Sequence, residues 1–191
     1  MKILIASDIH GSYAYCKKLF EAFEMEEAAK FILLGDLLYH GPRNDLPDEY
    51  APKSVISLLN ANKDKIFAVR GNCDTEVDQM VLDFPILADY CIIPIGNHIM
   101  YATHGHHYNP ETPPMLNQGD ILLNGHTHVT TWDKREGVYY FNPGSVSIPK
   151  ENTERGYIIM EDNQFTWKTL DGTVIQTVAL KKLFVNFAAT Y

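Results

Sequence analysis

The sequence is short of positive charge: 16 Lys and Arg stand against 24 Asp and Glu, a formal net charge of −8. No basic block offsets the balance. Non-specific nucleic-acid binding needs many Lys and Arg to neutralise phosphates, so the composition argues against a duplex nucleic-acid partner. Cysteine is scarce too. The three present, Cys16, Cys73 and Cys91, are widely spaced and form no C-x-x-C pair. Neither a disulfide framework nor a thiolate zinc site is indicated, and a reducing cytoplasm is the expected location. No run of 18 apolar residues occurs, so no membrane span is expected. The opening "MKILIASDIHG" lacks the small-residue cleavage site of a signal peptide. Internal repeats, low-complexity tracts and linkers are missing as well. With 191 residues, 46% of them hydrophobic, one domain over 1–191 with a substantial core is expected.

What is present is an alternation of short apolar runs and helical patterns. "KILIAS", "AKFILLGD" and "KIFAVRG" read as strands. From Ser12 to about Lys30 a helix is expected, with Ser12 as N-cap and Tyr15, Leu19 and Phe23 on its apolar face. "PKSVISLLNANK" and "TEVDQMVLD" read as further helices. After Pro85 the pattern changes to strand pairs. "YCIIPIGNHIMYATHG" reads as a hairpin turning at Gly96-Asn97, and "RGYIIMEDNQFTWKTL" as another turning at Asp162-Asn163. "DILLNGHTH" and "VYYFNPGS" read as strands between them. An α/β sandwich of two mixed sheets with helices outside accommodates both halves.

Five of these strands end in polar residues of one chemical type. The ends carry Asp8 and His10, then Asp36, then Asn72 and Asp74, then His104 and His106, then His126 and His128. Ligand sites in α/β folds form at the carboxyl ends of strands. Any one of these pieces alone is weak. The His-x-His pair, read as strand, places both imidazoles on one face. Together the groups indicate a metal site. Asp8, His10, Asp36, Asn72, His104, His126 and His128 are too many for one catalytic ion with an open position. They divide between two ions with one bridging carboxylate. Oxygen and nitrogen donors without thiolate suit Mn²⁺, Fe or Zn²⁺ better than Ca²⁺.

"SDIHG", "LLGDLLYHG", "RGNCD", "THGH" and "NGHTH" occur in that order and resemble the motifs of the calcineurin-like metallophosphoesterases. "HGPRN", "GNCDTEVDQM" and "FNPGSVSIPK" are similar to the small bacterial phosphodiesterases of the YfcE type. The resemblance implies a four-layer α/β/β/α sandwich. It implies one ion held by Asp8, His10, Asp36 and His128. The second ion would be held by Asn72, His104 and His126, with Asp36 as the bridge. Mn²⁺ is the implied activator, with Fe, Zn²⁺ or Ni²⁺ as alternatives.

Cys73 departs from the family, where a histidine that helps protonate the leaving oxygen usually stands. Two readings remain, a substituted general acid or a small apolar filler. As a ligand it is expected to point away if Asn72 points in. Arg43 and His40 fall in the loop after Asp36. Arg43 is either a bidentate phosphate clamp or an exposed loop arginine, and His40 is a candidate beside it. His106 is a candidate donor on the substrate side. His98, in the near-match "GNHIM", is expected to be a solvated turn residue.

The expected function is hydrolysis of a small or accessible phosphodiester by two-metal hydroxide attack. The rivals are a phosphomonoesterase or protein phosphatase, and a non-catalytic protein-binding scaffold of the same fold. A membrane partner is not expected, and a homo-oligomer is left open.

Overall fold

The structure is a computed structural model that describes residues 1–181; the end of the expected domain, 182–191, lies outside the described residues. The first half runs β1 (Ile3–Ala6), α1 (Tyr13–Met25), β2 (Lys30–Leu33), α2 (Pro52–Asn60), β3 (Ile66–Ala68) and α3 (Glu76–Gln79). The second half is all strand. It holds β4 (Tyr90–Ile95), β5 (His98–Thr103), β6 (Ile121–Leu123), β7 (Thr130–Arg135) and β8 (Val138–Pro143). It closes with β9 (Gly156–Glu161), β10 (Gln164–Thr169) and β11 (Val174–Ala179). Among the described residues, no helix is long and apolar enough to cross a membrane.

The strands form two mixed sheets, ordered β11-β10-β9-β1-β2-β3 and β4-β5-β6-β8-β7. In the first, β1, β2 and β3 are parallel and the β9–β10–β11 meander adds antiparallel to β1. Strand periodicity of two sorts the apolar runs. Leu4, Ala6, Phe31 and Leu33 face α1 and α2, whereas Ile3, Ile5 and Ile32 face the second sheet. Burial on both faces is why these runs read as continuous rather than alternating. Between the sheets sit Met100, Ile121, Phe141, Ile158, Phe165 and Trp167. Trp167 is fully buried and its Nε1–H donates to the Asn142 carbonyl at 2.9 Å. Truncating such a side chain to Ala costs about 3–5 kcal/mol.

Both expected hairpins form, β4–β5 and β9–β10. The sequence reading missed β7 and β11, and with β7 the parallel placement of β5, β6 and β8. The outer face of the second sheet packs Leu122, Val138 and Tyr140 under Tyr101 and Leu116. Leu116 comes from the irregular 104–120 segment, and among the described residues no helix covers that face.

All three helices are shorter than expected; α2 ends at Asn60 rather than Lys63. α1 is capped by the Ser12 hydroxyl, but its core face is Cys16, Leu19, Phe20, Ala22 and Phe23. It stops at Met25 because Glu27 turns left-handed at φ 52 and the Ala28 N–H returns to the Phe23 carbonyl. That closure usually carries Gly, and no Gly marks it here. α3 has a single turn with a Thr75–Asp78 capping box. His98 is corrected outright. It opens β5, is 2% exposed, and pairs its Nδ1 with the Gly119 carbonyl at 2.7 Å. The tight Gly96-Asn97 turn leaves it on the strand, facing inward.

Candidate metal centre

The structure brings the seven candidate ligands together at the carboxyl ends of β1, β2, β3, β5 and β6. Three of the four histidines have their outer nitrogen fixed by a backbone carbonyl. His10 Nδ1 meets Tyr39 O at 2.7 Å, His104 Nδ1 meets Leu34 O at 2.6 Å, and His128 Nδ1 meets Ile148 O at 2.8 Å. A carbonyl only accepts, so each Nδ1 carries the proton and each Nε2 turns a lone pair inward.

Those lone pairs meet other acceptors. His10 Nε2 lies 3.2 Å from His128 Nε2, 3.4 Å from Asp8 Oδ1 and 3.6 Å from Asp36 Oδ2. His128 Nε2 lies 3.2 Å from Asp8 Oδ1. On the other side, His104 Nε2 lies 3.5 Å from Asp36 Oδ2, 3.0 Å from Asn72 Oδ1 and 3.2 Å from His126 Nδ1. Acceptors facing acceptors repel unless a cation lies between them. Donor atoms bound to an ion at 2.0–2.2 Å sit about 2.8–3.6 Å from one another, the spacing found here. Asp36 Oδ2 belongs to both sets.

The remaining carboxylate oxygens are tied down. Asp8 Oδ2 accepts from His126 N at 3.1 Å and Asp36 Oδ1 from Cys73 N at 2.8 Å. Asp8 Oδ1 is buried with no hydrogen-bond partner, an arrangement that a cation satisfies. Burial alone would raise the Asp8 carboxyl, but the His10 and His128 imidazoles reverse this and hold it well below the usual range. His10 is opposed by burial and driven upward by Asp8. The cluster thus demands positive charge, and its residues fit divalent ions.

The backbone is strained at the same place. Asp8, His10, Asp36, His126 and His128 adopt left-handed φ of 59, 50, 54, 67 and 61°, a conformation that non-glycine residues avoid. The His-x-His pair is therefore not on a strand. It lies in the loop after β6, and its side chains diverge: His128 joins Asp8 and His10, and His126 joins His104 and Asn72. Glycines let the loops approach. A Cβ on Gly71 would lie 2.1 Å from Asp36 Oδ1, and one on Gly125 would lie 1.9 Å from Ser7 Oγ.

Asp74 is the residue whose role the sequence reading missed. Its buried carboxylate accepts from Asp36 N at 2.8 Å, Leu37 N at 2.9 Å and Gly71 N at 2.7 Å. It ties the β2 and β3 loops into one unit. The "FNPGSVS" stretch does the same for the others. Ser145 and Ser147 hydroxyls donate to the Asp8 carbonyl, and Asn142 Nδ2 donates to the Gly125 carbonyl.

Cys73 does not point away. Its Sγ lies within 4.8 Å of ligand atoms of His10 and Asp36 and accepts from Asn72 Nδ2 at 3.2 Å. Asn72 divides its amide, Nδ2 to the thiol and Oδ1 to the ligand set, so both side chains face inward. Burial, then the Asp36 charge, pushes the thiol up to about 12, not the ordinary value of a free cysteine. Arg43 is exposed on the wall of a cavity of about 390 Å³ over the cluster, with Lys150 on the same wall; the sequence reading overlooked Lys150. His40 is not on that wall; its ring stands edge-on between Tyr39 and Tyr50. His106 lies with its ring 5.4 Å from His104 and 6.3 Å from His126. Its Nδ1 is buried without a partner, and burial, then His104, lowers it to about 4.

Comparison with known proteins gives matches over most of the chain. The calcineurin-like phosphoesterase superfamily domain matches residues 1–164. Phosphodiesterase YfcE of Escherichia coli K12 is 44% identical over 181 residues, covering 94% of this chain and 98% of that protein. A phosphodiesterase of Methanocaldococcus jannaschii is 28% identical over 151 residues, 75% of this chain and 83% of that one. The solved structure of E. coli YfcE superposes with a TM-score of 0.91, covering 95% of this chain and all of that one. Vps29 of Chaetomium thermophilum, 15% identical with a TM-score of 0.62 over 95% of this chain and all of that one, shares the fold. The chain belongs to the calcineurin-like phosphoesterase superfamily.

Proposed function

We propose that the protein is a metal-dependent phosphodiesterase acting on a small or accessible diester in the cytoplasm. The observation that carries this is Asp36 Oδ2, shared almost equally at 3.6 and 3.5 Å by His10 and His104. One carboxylate serving two ligand sets is what a binuclear centre requires. Asp8, His10, Asp36 and His128 would hold one ion; Asp36, Asn72, His104 and His126 the other. Bound there, the ions supply water activation and neutralise charge on the phosphoryl oxygens. Mn²⁺ is our choice among Mn²⁺, Fe, Zn²⁺ and Ni²⁺, because the donors are mixed oxygen and imidazole without a required thiolate.

The chain's own groups would do the rest. The carbonyls of Tyr39, Leu34 and Ile148 hold the imidazoles in the right tautomer. Arg43 and Lys150 would neutralise and orient the anionic substrate from the cavity wall. His106, kept neutral by burial at working pH, would accept or donate a hydrogen bond at the leaving group, and Cys73 on the cavity wall would be a weak donor. The test is metal analysis of the purified protein combined with hydrolysis of bis(4-nitrophenyl) phosphate against 4-nitrophenyl phosphate. Two ions per chain and chelator-sensitive preference for the diester are expected. Preference for the monoester would make it a phosphomonoesterase, and metal-independent or no hydrolysis would leave the scaffold reading.

A further inference from the structure

Next to the metal cavity, sharing Cys73 with it, runs an apolar groove. Its lining includes Tyr39, Tyr50, Val77, Val81 and Ile56 of α2. The groove is accessible, with Tyr39 42%, Val77 67% and Val81 42% exposed. Contiguous apolar surface held open to water marks a binding site more often than chance. Two observations tie this one to the substrate. First, Cys73 lines both hollows, and its Sγ is within 4.8 Å of His10 and Asp36 ligand atoms. Second, the Tyr39 residue that walls the groove also fixes His10 through its carbonyl at 2.7 Å. The backbone of one groove residue is thereby bonded to a candidate ligand of the centre.

Its chemistry selects the occupant. The one charged residue on its walls, Asp78, is spent on its own helix. It accepts from Thr75 N at 2.7 Å and Thr75 Oγ1 at 2.9 Å. The His40 ring stands edge-on to Tyr39 at 4.7 Å and to Tyr50 at 5.2 Å, which accounts for His40 away from the metal cavity. Two tyrosine rings and two valines in one lining suit a flat apolar group.

We propose that this groove binds one organic arm of the phosphodiester, an uncharged aromatic group, while the phosphate sits over the ligand cluster. The proposal rests on the phosphoesterase reading of the adjoining centre and adds the class of substituent that the centre serves. Groups of this kind gain affinity from the groove; small alkyl esters do not.

The experiment is calorimetric titration of the Mn²⁺-loaded protein with benzylphosphonate and with methylphosphonate, neither of which contains a hydrolysable ester. The benzyl compound is expected to bind on the order of tenfold tighter, the effect of burying a few carbons of apolar surface. Val77→Asp and Val77→Asn should bring the ratio towards one. A new carboxylate repels both anions alike, so the ratio rather than either affinity is the readout. Val77 lies in the first turn of α3, where Asp is favourable to the helix, and Asn repeats the test without charge. Equal affinities in the parent, or a ratio unchanged in both variants, overturns the groove. Equal affinities together with self-association of the parent that Val77→Asp abolishes would assign the face to a second copy instead. Loss of all diester hydrolysis with the benzyl preference intact would sink the phosphodiesterase reading and leave the groove standing.

Discussion

Asp74 should be the residue whose removal damages the site without touching an ion. It is 2% exposed and accepts three backbone N–H groups, from Asp36, Leu37 and Gly71. We predict that Asp74→Asn destabilises the metal-free protein by about 1–3 kcal/mol. The reasoning follows the donors. An amide can turn its carbonyl toward Asp36 N and Gly71 N, which share Oδ2, and keep both bonds. Its NH₂ then faces the Leu37 N–H, leaving one buried donor unpaired. The two bonds kept are weakened by the loss of charge. Against this runs a smaller gain. Burial, only partly offset by the backbone bonds, raises the Asp74 carboxyl above its ordinary value, so a neutral side chain is spared part of the desolvation.

Asp74→Ala abandons all three donors and should cost more, about 3–6 kcal/mol. For a chain of this size each kcal/mol lowers the melting temperature by roughly 2–4 °C. Asparagine should therefore lower it by roughly 2–12 °C and alanine by more. Urea and thermal unfolding of chelator-treated protein measure this, and metal titration of the folded variants measures the second effect. Asp36 N is freed in the alanine variant and held by a weaker bond in the asparagine variant, and loosening it should weaken both ions together. If both variants unfold within about 0.5 kcal/mol of the parent, near the scatter of surface substitutions, or bind two ions as tightly as the parent, Asp74 is not the pin described.

Asp36→Asn should lose more activity than any other single ligand substitution, with at most one ion retained; two ions at saturating Mn²⁺ would contradict the bridge. Removing both ions should lower the melting temperature by roughly 10–20 °C relative to metal held 100-fold above each dissociation constant; coincident melting curves would mean that the cluster binds none. Arg43→Ala should raise KM on the order of tenfold, the loss of one charge-assisted contact, with metal content intact; unchanged kinetics would return Arg43 to the loop surface. Cys73→Ser should keep most of the activity and Cys73→His should speed poor leaving groups most, by up to about 10²-fold. A leaving-group series on the three proteins decides this, and loss of an ion from the serine variant would make Sγ a ligand.

The candidate ligands were legible because their chemistry is written in adjacent letters. Asp-x-His, Gly-Asp, Gly-Asn and His-x-His each follow an apolar run, and strand ends put them at one edge of a sheet. What tied them together was not legible. Asp74 reaches Leu37 across 37 positions, and Ser147 reaches Asp8 across 139. No local pattern records such a bond. His98 failed for the converse reason. Its neighbours Gly96 and Asn97 mark a turn, and only the approach of Gly119 from 21 positions away buries the ring. Cys73 failed because a tight turn after Gly71 can aim two successive side chains inward, which strand alternation would forbid.

The hidden bonds also explain the strain. Five candidate ligands hold left-handed backbones, each costing about 1 kcal/mol in a non-glycine residue. In an unconstrained loop they would relax, and the lone pairs would turn apart. The His10 N–H to the Asp36 carbonyl, the serine hydroxyls on the Asp8 carbonyl and the Asp74 carboxylate hold them. The convergence of acceptors is thus maintained by backbone bonds outside the ligand set. Substitutions among those supporting residues should therefore lower metal affinity and fold stability together, whereas substitutions of ligands should lower metal affinity and relieve repulsion in the metal-free protein. Paired melting curves with and without Mn²⁺ separate the two classes. A supporting variant that melts higher than the parent without metal would show that the strain is not held where these bonds place it.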